Sequence, residues 1–547
     1  MVRNLILLML IIFISCKTED KKMIVKKVTT KSLKKTQSIN GQGLWLYKDL
    51  IKDSIVGLSI ERSANQYNNS NNENEIIVAV IDSELNITND LFANKVWVNK
   101  EEIANNNTDD DGNGYIDDIH GWNFLGTYKK DSLATTTHEA VRIIRKYKGL
   151  FVKSDSTTII NQKAKEYNKY IRAKKVLKAG LDEAEENIEY FIGFKSRYEK
   201  LSDTFSKILK VKTITVEKLD SLNIASQDSI LKKKIKSMKY CIKNNIDHTW
   251  LDMVISIHRR DKDKVYNVNY LKDRLTEDDP FDINDIHYGN NNIEGTYKID
   301  HATEVSSLIL SVFDNTIKHN IKVMPIVVST YGSEYDKDIA LAIRYAVDNG
   351  AKIINMSIGK DLASNETWIT EAIKYAERND VLIVSAAGNE SLNLDSSDIY
   401  YYPNDMDENK IEIANNFIVV GSSNQNNSLV SAYSNYGKKT VDIFAPGEEI
   451  KVLTREGTIN DSGTSLSAAV VSNIAALIRS LYKNLSASEV KEIIMNSGIS
   501  CDIMVDKPST DDEKEPVSFS SLSKSGKIVN AYNALLLAEE VSKKKKK

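Results

Sequence analysis

The sequence predicts an α/β protein, a parallel doubly wound sheet of subdivided strand–helix units that carries a mainly helical insertion. Three observations predict it. Short, continuous apolar runs rich in β-branched residues recur, as expected of strands buried on both faces. Amphipathic helical stretches alternate with those runs, and such alternation builds βαβ units with a helix-covered parallel sheet. One long stretch, 127–293, lacks comparable runs and is dominated by charged helical periodicity.

The strand runs are EIIVAVI (75–81), VMPIVV (323–328), KIINMSI (352–358), VLIVSAA (381–387) and FIVVGS (417–422). Between them DIALAIRYAVDNG (338–350) reads as a helix that stops at Gly350, and TWITEAIKYAERN (367–379) as a second. In KAKEYNKYIRAKKVLKAGLDEAEENIEYF (163–191), Lys, Glu and apolar residues repeat every three or four positions, the pattern of amphipathic helices folded on one another or on the main domain. The five closing lysines, Lys543 to Lys547, read as a solvated tail.

With 547 residues the chain exceeds one ordinary core, and 41% hydrophobic content is enough to bury a large one. A net charge of −3 gives no basic surface for nucleic acid, so that partner class is excluded. Cys16, Cys241 and Cys501 are too few for a disulfide scaffold, and the last two read as buried small hydrophobes.

At the N-terminus Arg3 precedes an apolar run from Leu5 to Ile14, then Ser15 and Cys16. That length suits a signal peptide better than a membrane span. A small residue just before the cysteine resembles a bacterial lipoprotein cleavage site, although Phe13 stands where leucine is usual. The expectation is a signal peptide over 1–15, acylation at Cys16, a charged tether over 16–45, and an exported protein anchored to a membrane of the cell envelope, facing the periplasm or the exterior.

Chemistry concentrates at the ends of these elements. Asp82 follows the first strand, His301 opens the helix HATEVSSLILSVF, and Ser465 stands where a Gly463 loop enters a long, nearly all-apolar helix. A hydroxyl needs a base to remove its proton, and the base needs a carboxylate to fix its tautomer and stabilise its cation. The helix N-terminus at Ser465 adds amides for a developing oxyanion, and Asn389 beyond Gly388 offers a side-chain amide. Singly each residue is ordinary: an aspartate or serine before a helix is most often a cap. Four of them at element ends, in the order Asp, His, Asn, Ser, point to nucleophilic catalysis.

These motifs resemble those of the subtilisin-like serine peptidases. VAVIDSELNITNDLF (78–92) resembles the aspartate motif, DHATEV (300–305) the histidine motif and SGTSLSAAVVS (462–472) the serine motif. AAGN (386–389) is similar to the oxyanion segment and INMSIG (354–359) to the strand that pairs with substrate. SNYGKKTVDIFAPGEEI (434–450) and the closing helix SGKIVNAYNALLLAE (525–539) also resemble family segments. The resemblance covers 46–126 and 294–540, leaving 127–293 as an insertion and 541–547 as the tail. It implies a serine endopeptidase with Asp82, His301 and Ser465 as triad, Asn389 at the oxyanion, and polypeptide substrates held by Ser357, Ile358, Gly359, Ala386, Ala387 and Gly388. It implies no catalytic metal and leaves the oligomeric state open.

Glu84, Ala302, Glu304 and Ala469 depart from the family pattern, where glycine, glycine, histidine and proline are usual. Glu304 places a carboxylate near the base, which raises an imidazole pKa. A catalytically silent surface lipoprotein that uses the same groove as a binding module is the competing reading.

Between Asp82 and the insertion, NNNTDDDGNGYIDDIHGWNF (105–124) spaces Asp109, Asp111, Asn113, Tyr115 and Asp117 as in a calcium loop, with Gly114 for the turn and His120 where a glutamate would close the shell. The expectation is structural calcium; the alternative is a turn rich in Asp, Asn and Gly that caps its neighbours.

Overall fold

A computed structural model describes residues 43–546, apart from 68–73, 128, 130, 152–162, 226–227, 298, 314–315, 408 and 512–513. The expected signal peptide, Cys16 and nearly all of the tether lie outside the described residues.

The five apolar runs become β1 (Glu75–Asp82), β3 (Asn320–Val327), β4 (Ile353–Met356), β5 (Leu382–Ala386) and β6 (Phe417–Ser423). With β2 (Trp122–Asn123), β7 (Ile443–Pro446), β10 (Ile499–Ser500) and β13 (Lys527–Ile528) they form one sheet, ordered β10-β13-β7-β6-β5-β4-β1-β3-β2. All neighbours run parallel except β10 and β13. The strand period of two sends alternate residues of β1 to opposite faces. Val78 and Val80 enter a core shared with α7 (His301–Ser311) and α10 (Thr464–Leu481), whereas Ala79 and Ile81 enter one shared with α8 (Asp336–Asp348) and α9 (Glu366–Arg378). The predicted fold class is therefore present.

Among the described residues α10 is the one helix long and apolar enough to cross a membrane, but 89% of it is buried inside the protein. Its apolarity is that of a central core element packed against the sheet.

The stretch 127–293 is largely helical. It contains α2 (Glu139–Phe151), α3 (Ala164–Leu209), α4 (Val216–Ala225), α5 (Ser229–Lys243) and α6 (His248–Arg260). At 1.5 Å per residue, the 46 residues of α3 extend about 69 Å, an arm longer than a small domain is wide. Its far end has its own small core of Phe205, Leu219, Ile235 and Met238. The base of the 127–293 stretch, at α2 and around Asp278, is docked by buried ion pairs. Lys360 Nζ meets Glu139 at 2.9 Å and Asp336 at 2.7 Å, Arg142 meets Glu139 at 2.8 Å, and Arg274 and Lys337 share Asp278.

The expected boundaries at 127 and 293 are softer than drawn. Leu133 bonds back to Leu125, Thr136 to Tyr331, and Ile293 packs with Leu125 and Val327, so both ends of the stretch belong to the α/β body. The closing lysines that are described are exposed, but the first three of them are helical. Helix α12 (Ala531–Lys545) runs on through Lys545, whose ammonium caps the carbonyl of Asn484 and pairs with Glu489 at 2.8 Å. Lysines four residues after Glu539 and Glu540 support those last turns, where a helix favours positive charge. Cys241 and Cys501 are buried and free, as expected.

Candidate active site

Asp82 is the last residue of β1, and its backbone carbonyl is held by the N–H groups of Val328 and Ser329 beyond β3. Its side chain is 1% exposed and meets His301 Nδ1 at 2.8 Å through Oδ1. That contact fixes the ring so that Nε2 is the nitrogen left for a substrate or nucleophile. The second atom fixing the pair is Ser83, whose Oγ accepts from the Ala302 N–H at 3.2 Å. The methyl of Ala302, where glycine is usual, is fully accommodated in the core beside α10.

Ser465 is the second residue of α10. Its backbone carbonyl accepts from Ser357 Oγ at 3.0 Å, and its own Oγ donates to the Ser357 carbonyl at 3.3 Å. The hydroxyl thus rests against the strip that follows β4. Asp82, His301, Ser357, Asn389 and Ser465 all line one cleft of about 320 Å³ at the carboxyl end of the sheet, where ligands of such folds bind.

Asn389 is oriented by Thr464. The Thr464 N–H donates to Asn389 Oδ1 at 2.9 Å, and Thr464 Oγ1 does so at 3.0 Å. A backbone N–H has only a proton to offer, so the facing amide atom must be oxygen and Nδ2 must turn the other way. Nδ2 is thereby left as a donor beside the Ser465 N–H, an unpaired amide of the first helical turn. Two donors beside a hydroxyl are the arrangement that an oxyanion site requires. Gly388 holds φ +101°, a backbone geometry that puts Asn389 at the mouth of the cleft and that a side chain would strain.

Electrostatics set the base. Burial pulls the His301 pKa down, but the Asp82 charge and hydrogen bond, followed by Glu304 and Asp461, outweigh it and raise the pKa to about 9. Glu304, one turn along α7, is itself raised to about 7 by burial and by a hydrogen bond and charge repulsion with Asp461, while His301 opposes the rise. Asp461 ends β9 (Gly457–Asp461), which pairs with β8 (Ile450–Thr454) in a hairpin resting on α7. Glu84, the other carboxylate that departs from the family pattern, is 2% exposed and accepts the Thr296 N–H at 2.9 Å and the Tyr297 N–H at 3.0 Å. It secures the loop leading into His301.

Of the expected pocket residues, Ser357, Ile358, Gly359 and Ala386 line the cleft. Ala387 does not: it is fully buried in the core behind, with its N–H bonded to Val420. Gly388 is the turn that presents Asn389. Thr464, Asp461 and Tyr401 were not evident from sequence; the first hides in a motif read for its serine, the second stands just before that motif at the end of a hairpin strand, and the third lies between motifs.

In the 105–124 loop, Asp109 and Asp111 come together with Glu102, their carboxylate oxygens within 4.8 Å of one another. Asn113 Oδ1 accepts the Tyr115 N–H at 2.7 Å, and Asp109 Oδ2 that of Gly114 at 2.8 Å, so the turn is tightly wound. Asp117 lies outside this cluster and accepts the N–H groups of Asn106 and Asn107 at 3.1 and 3.0 Å, just as Glu102 accepts those of Asp110 and Asp117 at 2.8 and 3.0 Å. Glu102 supplies from outside the loop the carboxylate that His120 lacks, since His120 Nδ1 is engaged with the Trp97 carbonyl. Three convergent hard oxygen donors fit calcium chemistry.

Comparison with known proteins gives the family. The model of the Peptidase S8 subtilase family matches residues 195–522, more than half of the chain; the match begins inside α3 and omits Asp82, which the fold brings to His301. The chain is 32% identical over 191 residues to a thermophilic serine proteinase of Bacillus sp. (strain AK1), covering 34% of this chain and 43% of that protein. It is 31% identical over 198 residues to subtilisin DY of Bacillus licheniformis, covering 35% of this chain and 67% of that one. It thus spans less than half the length of the first relative. Among solved structures, the prenylagaramide maturation protease PagA is 27% identical, with 44% of this chain and 82% of that chain covered at a TM-score of 0.34. With the family's sheet, its motifs at the strand ends and a model match over most of its length, the chain belongs to the subtilase family.

Proposed function

We propose that the chain is a serine endopeptidase that hydrolyses peptide bonds in proteins through an acyl-enzyme intermediate. The observation that carries this is the 2.8 Å contact between Asp82 and His301 in the same cleft as Ser465 and the turned-out amide of Asn389. A substrate segment adds beside 357–359, Ser465 Oγ attacks its carbonyl, and His301 takes the proton. The oxygen that gains charge is met by Asn389 Nδ2 and the Ser465 N–H, and loss of one such donor costs roughly 10²–10³ in turnover. His301 then protonates the departing amine, and water repeats the cycle on the ester.

A fluorophosphonate probe tests the reading. Wild type takes the label, and Ser465→Ala and His301→Ala do not. A folded wild type that stays unlabelled removes the peptidase reading and leaves the silent binding module.

Calcium, held by Glu102, Asp109 and Asp111, belongs to the same proposal as a structural ion. So does export with acylation at Cys16, supported by the apolar run that precedes it. Incorporation of labelled palmitate that persists in Cys16→Ser would contradict the anchor.

A further inference from the structure

The strips that wall the cleft are Ser357–Gly359, continuing from β4, and Ala386–Asn389, continuing from β5. Since β4 and β5 pair in parallel register, the strips leave the sheet side by side and enclose a gap. The phenol ring of Tyr401 stands in that gap. A methyl group placed on Gly359 would lie 2.1 Å from the Tyr401 hydroxyl oxygen, and one placed on Gly388 would lie 2.6 Å from Cζ of the same ring. Both distances are far inside van der Waals contact, so the ring occupies the room that Gly359 leaves and shares with Asn435 and Glu390 the room that Gly388 leaves. Burial, then the charges of Glu390 and Glu334, hold the phenol well above its ordinary pKa, so the ring is neutral.

The ring is also anchored. Its neighbour Tyr402 exchanges two backbone hydrogen bonds with Lys360, at 2.8 and 2.9 Å, immediately beyond Gly359. Lys360 is in turn held by Glu139 and Asp336. That bridge fixes the backbone on which Tyr401 stands.

We infer that Tyr401 sets the specificity of the site: it plugs the pocket beside the reacting carbonyl and restricts cleavage to peptide bonds that follow glycine, alanine or serine. This rests on the peptidase reading. With the carbonyl carbon at Ser465 Oγ and its oxygen at Asn389 Nδ2, the side chain one bond away enters the gap next to Asn389. Gly388 and Gly359 bound that gap, and Tyr401 already fills it. A benzyl or butyl side chain has no place there unless the ring leaves. A pocket discriminates by roughly 10–200-fold per methylene-sized misfit, so the exclusion of larger side chains is measurable.

The experiment uses the full chain and a series of peptide p-nitroanilides that differ only in the acyl-side residue: alanine, leucine, phenylalanine and lysine. Fluorophosphonate labelling is read on each protein in parallel. The expected kcat/KM of wild type is highest for alanine, at least about tenfold above phenylalanine. Tyr401→Ala reverses that order, whereas Tyr401→Phe, which keeps the ring, preserves it. A labelled wild type that favours phenylalanine, leucine or lysine overturns the inference and leaves the peptidase reading standing, as does a labelled Tyr401→Ala with an unchanged order. An unlabelled wild type overturns the peptidase reading and this inference with it. The wild-type order decides the matter even if Tyr401→Ala fails to fold.

Discussion

At the residue scale the active centre is a set of charges balanced around His301. The Asp82–His301 pair was legible because Asp82 ends β1 and His301 opens α7, two strongly patterned elements whose ends meet in the fold. The effect of Glu304 was legible in direction only. Sequence placed a carboxylate beside the base, but the partner Asp461 lies 157 positions further along the chain on a hairpin that no local pattern ties to α7. A general base must be neutral to take a proton, so with His301 in the proposed role activity is expected to rise with pH through about 9. Glu304 is charged over that range, since its own pKa is about 7, and its charge helps hold the imidazolium. Glu304→Gln is therefore expected to move the rising limb of the kcat/KM profile to lower pH. An unmoved limb would show that Asp82 alone sets the base. The stability linkage has the same origin: a histidine pKa raised on folding stabilises the fold fully below its unfolded value of 6.5, and that contribution is lost as pH climbs through about 9.

At the scale of elements, strands and helices of the α/β body were readable wherever a run was long and apolar. The two-residue strand β2 and the single-register contact of β13 with β7 were not, since so short a segment carries no periodicity. The calcium loop shows the same limit. Its spacing named Asp109 and Asp111, while Glu102 comes from the turn before it and Asp117 turns away to cap Asn106 and Asn107. Three carboxylates held within 4.8 Å repel one another, and the divalent cation proposed among them would relieve that repulsion. At a hundredfold excess over Kd the gain is about 2.7 kcal/mol. A chelator is expected to lower the thermal midpoint and calcium to restore it, with Glu102→Gln losing the response. A midpoint indifferent to the chelator would mean that the loop is a self-capped turn.

At the scale of the whole molecule, a helical arm is joined to a subtilase body through buried ion pairs. Lys337 is buried in the body and paired with Asp278 of the 127–293 stretch, while Lys360 is shared between Glu139 of that stretch and Asp336 of the body. Removing one partner of a buried pair costs roughly 3–5 kcal/mol, so deleting all of 127–293 is expected to prevent folding. The far end of the arm has no such tie. Phe191 and Trp250 face each other across the hairpin with ring centroids 6.0 Å apart, so a short glycine–serine loop replacing 192–249 closes the gap. That shortened chain is expected to keep its fold by circular dichroism and its fluorophosphonate labelling; loss of both would make the distal helices part of the folding unit. The arm's helicity was legible in its repeating Lys and Glu, but its docking was not, because a charge pattern does not say which charges become buried. The central claim, that Ser465 is the nucleophile of an endopeptidase, is tested most directly by casein cleavage with the purified chain in calcium. Wild type is expected to cleave, and Ser465→Ala to fall by a factor on the order of 10⁶ in turnover. Equal cleavage by the two proteins, or none by a folded wild type, would contradict it.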